Sequence, residues 1–533
     1  MEERGSAQRP PTIADARTSL AEHFGYQSFR PGQEPVIAAA LAGRDALAVM
    51  PTGAGKSVCY QVPASVMGGL TLVVSPLISL MADQVRALKE AGIRGSFFNS
   101  TLKPYVRPEV LRRALAGWYD IMYVAPERLS DPSFRAFAAR AQIPLVAVDE
   151  AHCVSQWGQD FRPAYREIAS FVASLPVRPP VMALTATATG RVREDITRLL
   201  ELRDPLVQVS GFDRPNLYLA TLELTPKKRE AWLANYVRAH PNDSGIVYAT
   251  TRKKVEQIAE DLRLEGIPAA AYHAGMSDDA RTASQHAFVH DDVQVLVATT
   301  AFGMGIDKSN VRYVVNCGLP LSLEEYYQEA GRAGRDGEPA ECYLLWSRGD
   351  IRTCHFFIDN VEAEGLSPED RARVVETKER LLGEMIGYAM SSSCLRRRVL
   401  RYFGQREESQ VVDCGACSVC TGETADRYLR APRKAERAVE RLRAERVERE
   451  EAEPEQLDAE AAAELFERLR ALRKAIADEA GVPPYIVFSD KTLRGMVRRL
   501  PRTEDELLEV AGVGQVKLER YGQAFLKEIA SAL

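Results

Sequence analysis

From about residue 35 to residue 345 the chain repeats one pattern: a short apolar run, a polar or glycine-rich turn, then an amphipathic stretch. The runs at 46–50, 71–75, 145–148, 181–184, 245–248, 293–298 and 311–316 are short and rich in β-branched residues. Such runs, separated by helical stretches, read as strands buried on both faces of a parallel sheet. They are too many for one sheet of ordinary size, so the expected fold class is α/β with two parallel-sheet domains. The boundary is expected near 202–219, where Asp213-Arg214-Pro215-Asn216 forms a turn-rich link.

Beyond residue 346 the strand pattern fades. Residues 367–405 look helical, residues 426–453 are almost entirely charge plus alanine, and a compact helical segment starts near 461. In that segment Leu465, Leu469, Leu472 and Ile476 stand at helical spacing. The charged stretch has only Val439 and Leu442 as an apolar stripe, which reads as a solvated helical linker. The expected organisation is therefore an α/β domain at 10–204, a second at 205–345, a cysteine-bearing helical domain at 346–421, a charged linker at 422–460 and an all-α domain at 461–533.

Composition excludes several classes. No apolar run approaches the ~18 residues of a membrane-spanning helix. The start, Met-Glu-Glu-Arg-Gly-Ser, lacks the apolar core of a signal peptide, so a cytoplasmic location is expected (on the nucleoid if the source is bacterial). Sixty-nine Lys+Arg against seventy-four Asp+Glu give a net charge of −5, so any nucleic-acid binding has to come from local patches. Nine cysteines in such a chain argue against a disulfide framework. Cys59, Cys153, Cys317, Cys342 and Cys354 are scattered and read as small buried hydrophobes.

Three motifs point to nucleotide chemistry. Met50-Pro-Thr52-Gly53-Ala54-Gly55-Lys56-Ser57 follows an apolar strand and precedes a helix. Backbone N–H groups of a glycine-rich turn close around phosphate oxygens, and a helix N-terminus favours the anion. Lys56 would reach the β/γ-phosphates and Ser57 would hold Mg²⁺. The strict pattern needs glycine at position 50, where Met50 stands. About a hundred residues on, the run 145–148 ends in Asp149-Glu150-Ala-His152. Carboxylates at a strand's C-terminal end sit where ligands bind in open parallel sheets. Asp149 suits Mg²⁺ through water, and Glu150 suits orienting and deprotonating the attacking water. The third motif, Tyr327-Gln328-Glu-Ala-Gly-Arg332-Ala-Gly-Arg335-Asp-Gly, lies in the second domain. Arginine that offsets charge on a transferring phosphoryl is worth about 10³–10⁵ in rate, or roughly 4–7 kcal/mol of barrier. Supplied from a separate domain, it would make hydrolysis depend on domain closure.

These motifs, in this order, resemble those of superfamily 2 helicases, whose phosphate loop tolerates a non-glycine first position. Phe24-Gly-Tyr26-Gln-Ser-Phe-Arg30-Pro-Gly-Gln33 resembles the adenine-recognition motif of RecQ DNA helicases, and Ser155-Gln156-Trp157-Gly-Gln159-Asp-Phe161-Arg162-Pro163 resembles their aromatic-rich loop. Val74-Ser75-Pro76-Leu-Ile-Ser-Leu-Met81, Leu184-Thr-Ala-Thr-Ala-Thr189, Asp213-Arg-Pro-Asn216, Tyr272-His-Ala-Gly-Met276 and Ala301-Phe-Gly-Met-Gly-Ile-Asp-Lys308 match further helicase motifs. The resemblance covers roughly 20–421 and the tail after 461. It implies two RecA-like domains that use ATP and Mg²⁺, with Tyr26, Arg30 and Gln33 at the base and residues 52–57 at the phosphates. Gln328, Arg332 and Arg335 then serve catalysis. DNA contacts fall to Ser75, Pro76, Ser155, Gln156, Trp157, Phe161 and Arg162. Stacking on Trp157 and Phe161 would be worth about 1–3 kcal/mol per base. Position 159 is Gln where the family usually carries His, and position 54 is Ala where Gly is common.

Cys414-Gly-Ala-Cys417-Ser-Val-Cys420, with Cys394 twenty residues earlier, resembles the RecQ zinc-binding domain. Four thiolates suit tetrahedral Zn²⁺, and the same set also serves iron–sulfur clusters. Arg396, Arg397, Arg398 and Arg401 are candidate phosphate contacts. Most RecQ proteins carry a winged helix next. Here fewer than about forty residues follow Cys420 before the tail, below the ~50-residue lower end of domain size, so the winged helix is expected to be absent. The tail resembles a helicase-and-RNaseD C-terminal (HRDC) domain. Val510-Ala-Gly-Val-Gly514 suggests a hairpin for a phosphate, aided by Lys517, Arg520, Lys491, Arg494, Arg498 and Arg499, and a protein-interaction module is an equal reading.

The resemblance implies an ATP-dependent 3′ to 5′ DNA helicase acting on single-stranded and tailed duplex DNA in recombination, repair and replication. Partners would include single-stranded-DNA-binding protein and other recombination proteins, without a membrane. A DNA-stimulated ATPase that remodels or anneals without efficient unwinding is the alternative favoured by the missing winged helix. An RNA helicase fits the aromatic-rich loop and cysteine module less well.

Overall fold

The computed structural model describes residues 9–76, 78–155, 157, 161–300, 308–360, 368–405, 413–429 and 459–531. The chain divides into two compact units, residues 1–212 with 511–520, and residues 213–510 with 521–533.

The first unit holds strands β1 (Ala46–Val49), β2 (Thr71–Val74), β3 (Gly95–Phe98), β4 (Ile121–Val124), β5 (Val146–Val148), β6 (Val181–Thr185) and β7 (Leu206–Val209). Their order is β3-β4-β2-β5-β6-β1-β7, and every pairing is parallel. Parallel neighbours need crossover connections, and the intervening helices supply them. Those helices explain why β1, β2, β4, β5 and β6 are buried along their whole length. Adjacent pairing of β5, β6 and β1 brings the segments after Val148, Thr185 and Val49 to one edge of the sheet. The expected boundary at 204/205 falls one strand early. β7 pairs with β1, because the turn through Glu201 and Asp204, both at positive φ, only reverses the chain into an edge strand.

Residues 511–520 pack within this first unit. Gly25, the left-handed C-cap of the helix Ile13–Phe24 at φ 70°, accepts from the Gly512 N–H at 3.4 Å. A methyl at position 25 would lie 2.6 Å from the Gly514 nitrogen, so glycine is required for the approach.

The second unit holds β8 (Leu217–Glu223), β9 (Ser244–Ala249), β10 (Ala269–Tyr272), β11 (Val295–Ala298), β12 (Val311–Cys317) and β13 (Ala340–Trp346). Their order is β10-β11-β9-β12-β13-β8, again all parallel. Trp232, Tyr236, Tyr313 and Tyr343 fill its core, with the Trp232 and Tyr343 rings 4.7 Å apart. The helices Pro368–Ala389 and Leu395–Tyr402 follow, then the cysteine segment, and a helical tail begins at Ala459–Ala480. The expected fold class therefore holds: two parallel sheets, then helices. Residues 430–458, most of the charged linker, lie outside the described residues. The tail helix buries Leu465 and Leu469 as its spacing predicts, and it also buries Arg473. That guanidinium donates to Asp490 at 2.6 Å and to the Phe488 carbonyl at 2.9 Å.

Candidate functional site

β1 ends at Val49, and residues 50–57 turn into the helix Val58–Val66. The turn needs two left-handed residues, Gly53 at φ 85° and Gly55 at φ 78°. Ala54 between them keeps a negative φ, so alanine fits there without strain. Gln33 clamps this loop. Its side-chain amide donates to the carbonyls of Ala54 and Gly55 at 3.0 Å each, and it accepts from the Arg30 N–H at 2.8 Å. The Arg30 guanidinium donates to the Gly53 carbonyl. The adenine motif and the phosphate loop are thus one hydrogen-bonded body. Lys56 Nζ donates to the Met50 carbonyl at 3.3 Å. Thr52 and Ser57 are half-buried, and Tyr26 is 40% exposed.

Asp149 and Glu150 follow β5. Glu150 has left-handed backbone, φ 47° and ψ 47°. For a non-glycine residue this costs about 1–3 kcal/mol and persists only where the surroundings fix it. They do. The Asp149 N–H donates to the Val74 carbonyl at 2.8 Å, and the Tyr165 hydroxyl donates to the Asp149 carbonyl at 2.8 Å. His152 Nδ1 lies 3.3 Å from Glu150 Oε2 and 2.8 Å from Thr185 Oγ1. Burial, and then the Glu150 carboxylate, push the Asp149 carboxyl up to about 7, against the pull of Lys56. A divalent cation would reverse that shift. Adjacent carboxylates with a nearby hydroxyl fit a hard oxygen-seeking ion.

In the second unit Gln328 lies on the helix Leu323–Ala330, and Arg332 and Arg335 lie on the loop after it. Arg332 is buried and Arg335 half-buried. The Arg214 guanidinium holds this loop, donating to the carbonyls of Gly331 (3.3 Å), Ala333 (3.0 Å) and Gly334 (2.8 Å). The Asn216 amide donates to Gly334 and Glu338 carbonyls at 2.9 Å. Arg214 and Asn216 were legible only as members of a motif; their bracing role is not.

The aromatic-rich loop is braced from the helix Gly190–Leu199, which follows residues 184–189 directly. Ser155 Oγ donates to Asp195 at 2.8 Å and accepts from the Trp157 N–H at 3.2 Å. The Arg191 guanidinium carbon lies 3.2 Å from the Trp157 ring centroid, and that of Arg166 lies 5.0 Å from the Phe161 centroid. Arg162 donates to the Pro76 carbonyl at 3.3 Å. Ser75 and Pro76 are buried. Gln156 and residues 158–160, Gln159 among them, lie outside the described residues, as do 301–307. Arg191, Asp195 and Tyr165 escape sequence reasoning, since no motif marks them.

The Sγ atoms of Cys394, Cys414, Cys417 and Cys420 all lie within 4.8 Å of one another, and those of Cys414 and Cys420 are 3.9 Å apart. A tetrahedral site with Zn–S near 2.3 Å has edges of about 3.8 Å, so the donor set fits zinc in chemistry and spacing. Cys394 caps the helix Leu395–Tyr402, and Cys417 caps the short helix Ser418–Thr421. The module is joined to the sheet edge: Leu219 of β8 bridges to Cys417, and the Leu219 N–H donates to the Ala416 carbonyl at 3.2 Å. Arg396, a candidate phosphate contact by sequence, is instead buried with its donors committed to protein acceptors.

The tail's expected phosphate hairpin is also partly committed. Gly512 N–H faces the Gly25 carbonyl, and Arg520 pairs with Glu90. Arg494 lies 3.5 Å from Glu338 and Arg499 lies 3.2 Å from Glu509. Burial pulls the Lys517 ammonium down to about 8, against Glu90. No helix among the described residues is long and apolar enough to cross a membrane.

Four family descriptions match the chain: DEAD/DEAH box helicase over residues 30–196, Helicase conserved C-terminal domain over 227–337, RecQ zinc-binding over 348–421 and HRDC domain over 462–529. The ATP-dependent DNA helicase RecQ of Bacillus subtilis is 39% identical, covering 96% of this chain and 98% of its own. Its counterpart in Haemophilus influenzae is 39% identical, covering 96% and 95%. The first alignment runs over 595 positions against 533 residues here, so that relative carries segments without a counterpart in this chain. The helicase MrfA bound to DNA and AMPPNP shares the fold at TM-score 0.53 and 17% identity, over 76% of this chain and 59% of that one. With both motor sheets, the cysteine module and the helical tail in the order of relatives that it matches almost end to end, the chain belongs to the RecQ family of ATP-dependent DNA helicases.

Proposed function

We propose that this RecQ-type enzyme moves 3′ to 5′ on single-stranded DNA and opens tailed duplexes by coupling base contacts to ATP hydrolysis. The supporting observation is a continuous set of contacts from phosphate loop to aromatic-rich loop. Met50 N–H donates to the Thr185 carbonyl at 3.0 Å, Thr185 Oγ1 meets His152, and His152 meets Glu150. Tyr165 ties Asp149 to the chain just beyond Arg162, and Asp195 holds Ser155. A base that displaces Arg191 from Trp157 therefore pulls on groups that orient the hydrolytic carboxylates.

In this reading Tyr26, Arg30 and Gln33 read the adenine, and residues 52–57 cradle the phosphates. Lys56 neutralises phosphate charge. Ser57 and Asp149 hold Mg²⁺, which supplies charge compensation at the phosphates. Glu150 orients and deprotonates the attacking water, with His152 fixing its carboxylate. Gln328, Arg332 and Arg335 offset charge on the transferring phosphoryl. Ser75, Pro76, Ser155, Gln156, Trp157, Phe161 and Arg162 meet DNA. Partners such as single-stranded-DNA-binding protein, work in recombination and repair, and a cytoplasmic, nucleoid-associated location accompany this reading through the family alone.

The test is unwinding of matched duplexes with 3′ or 5′ single-stranded tails, with ATP hydrolysis followed in parallel. The expected result is ATP-dependent separation of the 3′-tailed duplex only, and none with Lys56→Ala. Strong DNA-stimulated hydrolysis without separation would overturn the unwinding part and leave a remodeller. Trp157→Ala is expected to lower DNA-stimulated turnover far more than DNA-free turnover, with stacking loss raising the half-saturating DNA concentration about ten-fold. Equal loss of both rates would make Trp157 a structural residue.

A further inference from the structure

Arg396 is a heavily committed side chain among the described residues of the cysteine module. It is 8% exposed and is the second residue of the helix that Cys394 caps. Its Nη1 donates to the Asp213 carboxylate and to the Arg214 carbonyl at 2.8 Å, and its Nη2 donates to the Leu217 carbonyl at 2.6 Å. These acceptors lie in the turn that leads into β8 and at its first residue, and the guanidinium also interacts with the Cys414 thiol. Arg214, whose backbone is held this way, sends its own guanidinium to three carbonyls of the loop bearing Arg332 and Arg335. Gly334 of that loop is left-handed at φ 56°, and a methyl there would lie 2.4 Å from Asn216 Nδ2. The loop is thus fitted against the turn with no slack.

We propose that Arg396 is a positioning residue for ATP hydrolysis: through Asp213 and Arg214 it sets the arginine loop, and so makes the cysteine module part of the hydrolytic machinery. The proposal rests on the reading that Arg335 offsets phosphoryl charge. The physical argument is one of lost donors. Without the Arg396 guanidinium, the Arg214 and Leu217 carbonyls and the Asp213 carboxylate lose their shared donor, and the turn relaxes. Arg214 then no longer holds three loop carbonyls at fixed distance. An arginine that must meet a transferring phosphoryl tolerates little displacement, and an error near 1 Å is worth about 10²-fold in rate. Lysine does not replace it, since a single ammonium cannot span acceptors that a planar fork serves.

The experiment uses full-length Arg396→Ala, Arg396→Lys, Asp213→Asn and Arg335→Ala. Each is assayed for kcat and KM of DNA-stimulated hydrolysis, for affinity to ADP alone and to ADP with aluminium fluoride (a mimic of the transferring phosphoryl), and for zinc content. For Arg396→Ala the expected result is a kcat lowered about 10²-fold. Affinity for the mimic should fall by a similar factor, with ADP affinity and zinc content unchanged. Arg396→Lys should fall between, and Asp213→Asn, which removes the charge of a half-exposed partner but keeps one acceptor oxygen, should lower kcat by a smaller factor in the same pattern. Full kcat in both Arg396 variants, alongside a crippled Arg335→Ala, would overturn the positioning role. Loss of zinc and of ADP affinity together would also overturn it, as a general folding role. Should Arg335→Ala keep its turnover, the phosphoryl-charge reading falls first and Arg396's role with it.

Discussion

Arg335→Ala is expected to lower DNA-stimulated ATP turnover by about 10³-fold or more while leaving nucleotide affinity within a few-fold. The asymmetry follows from where the charge is needed. In the proposed reading, ground-state ATP would be held by the phosphate loop, Lys56 and the adenine motif, all residues of the first unit. Charge that develops on the transferring phosphoryl is a separate requirement, and an interaction made only then lowers kcat without raising KM. Arg335 sits on a loop that Arg214 and Asn216 fasten through five carbonyl contacts, so truncating its side chain should leave the backbone in place. Steady-state hydrolysis with fluorescent-nucleotide binding checks it. Turnover within ten-fold of the parent would remove Arg335 from the phosphoryl site.

The second large effect is expected from Cys417→Ser. Cys417 is fully buried, caps a helix and bridges to β8 at once. Structural zinc contributes on the order of 10 kcal/mol or more to the fold that binds it, and three thiolates cannot close the tetrahedral site. Zinc content should drop from about one per chain to a small fraction. Proteolysis should open within 390–429, and hydrolysis should fall because Arg396 loses its helix. Metal analysis and limited digestion read this directly. Full zinc with an unaltered digestion pattern would refute the four-thiolate site, and iron in place of zinc would refute its metal.

The sheets were legible because their central strands are buried on both faces, which forces continuous apolar runs such as 46–49 and 181–185. β7 and β8 were harder, for edge strands bury only part of each face: no residue of β7 is buried, and Leu217–Glu223 mixes buried with half-buried and exposed positions. Phosphate-loop chemistry was legible because it demands glycine at φ 85° and 78°, a demand written into residue type. Bracing was not. Tyr165, Arg191, Asp195 and Arg396 act through contacts with residues far away in sequence, and each reads locally as an ordinary aromatic or surface charge. Arg396 shows the limit most clearly. Among Arg396, Arg397 and Arg398, helical spacing puts Arg396 on the face of Val399, Leu400 and Phe403, but the sequence does not show that a guanidinium there finds acceptors in the turn before β8. Arg473 is the same case in the tail, a charge at a core position because Asp490 waits there.

β8 is the last strand of its sheet, and the cysteine module lies along its outer side through Leu219, Thr221 and the Tyr218 hydroxyl. A bare edge strand presents a row of unpaired N–H and C=O groups to any other chain. Seven residues long, with buried Leu217, Leu219, Ala220 and Leu222, β8 would make an effective template for strand addition. A folded, metal-bound module would therefore cover this edge as well as brace the arginine loop in the proposed reading. Protein stripped of zinc should not persist as a quiet, inactive monomer; its natural fate is growth into β-paired aggregates, with the sheet edge as the nucleus.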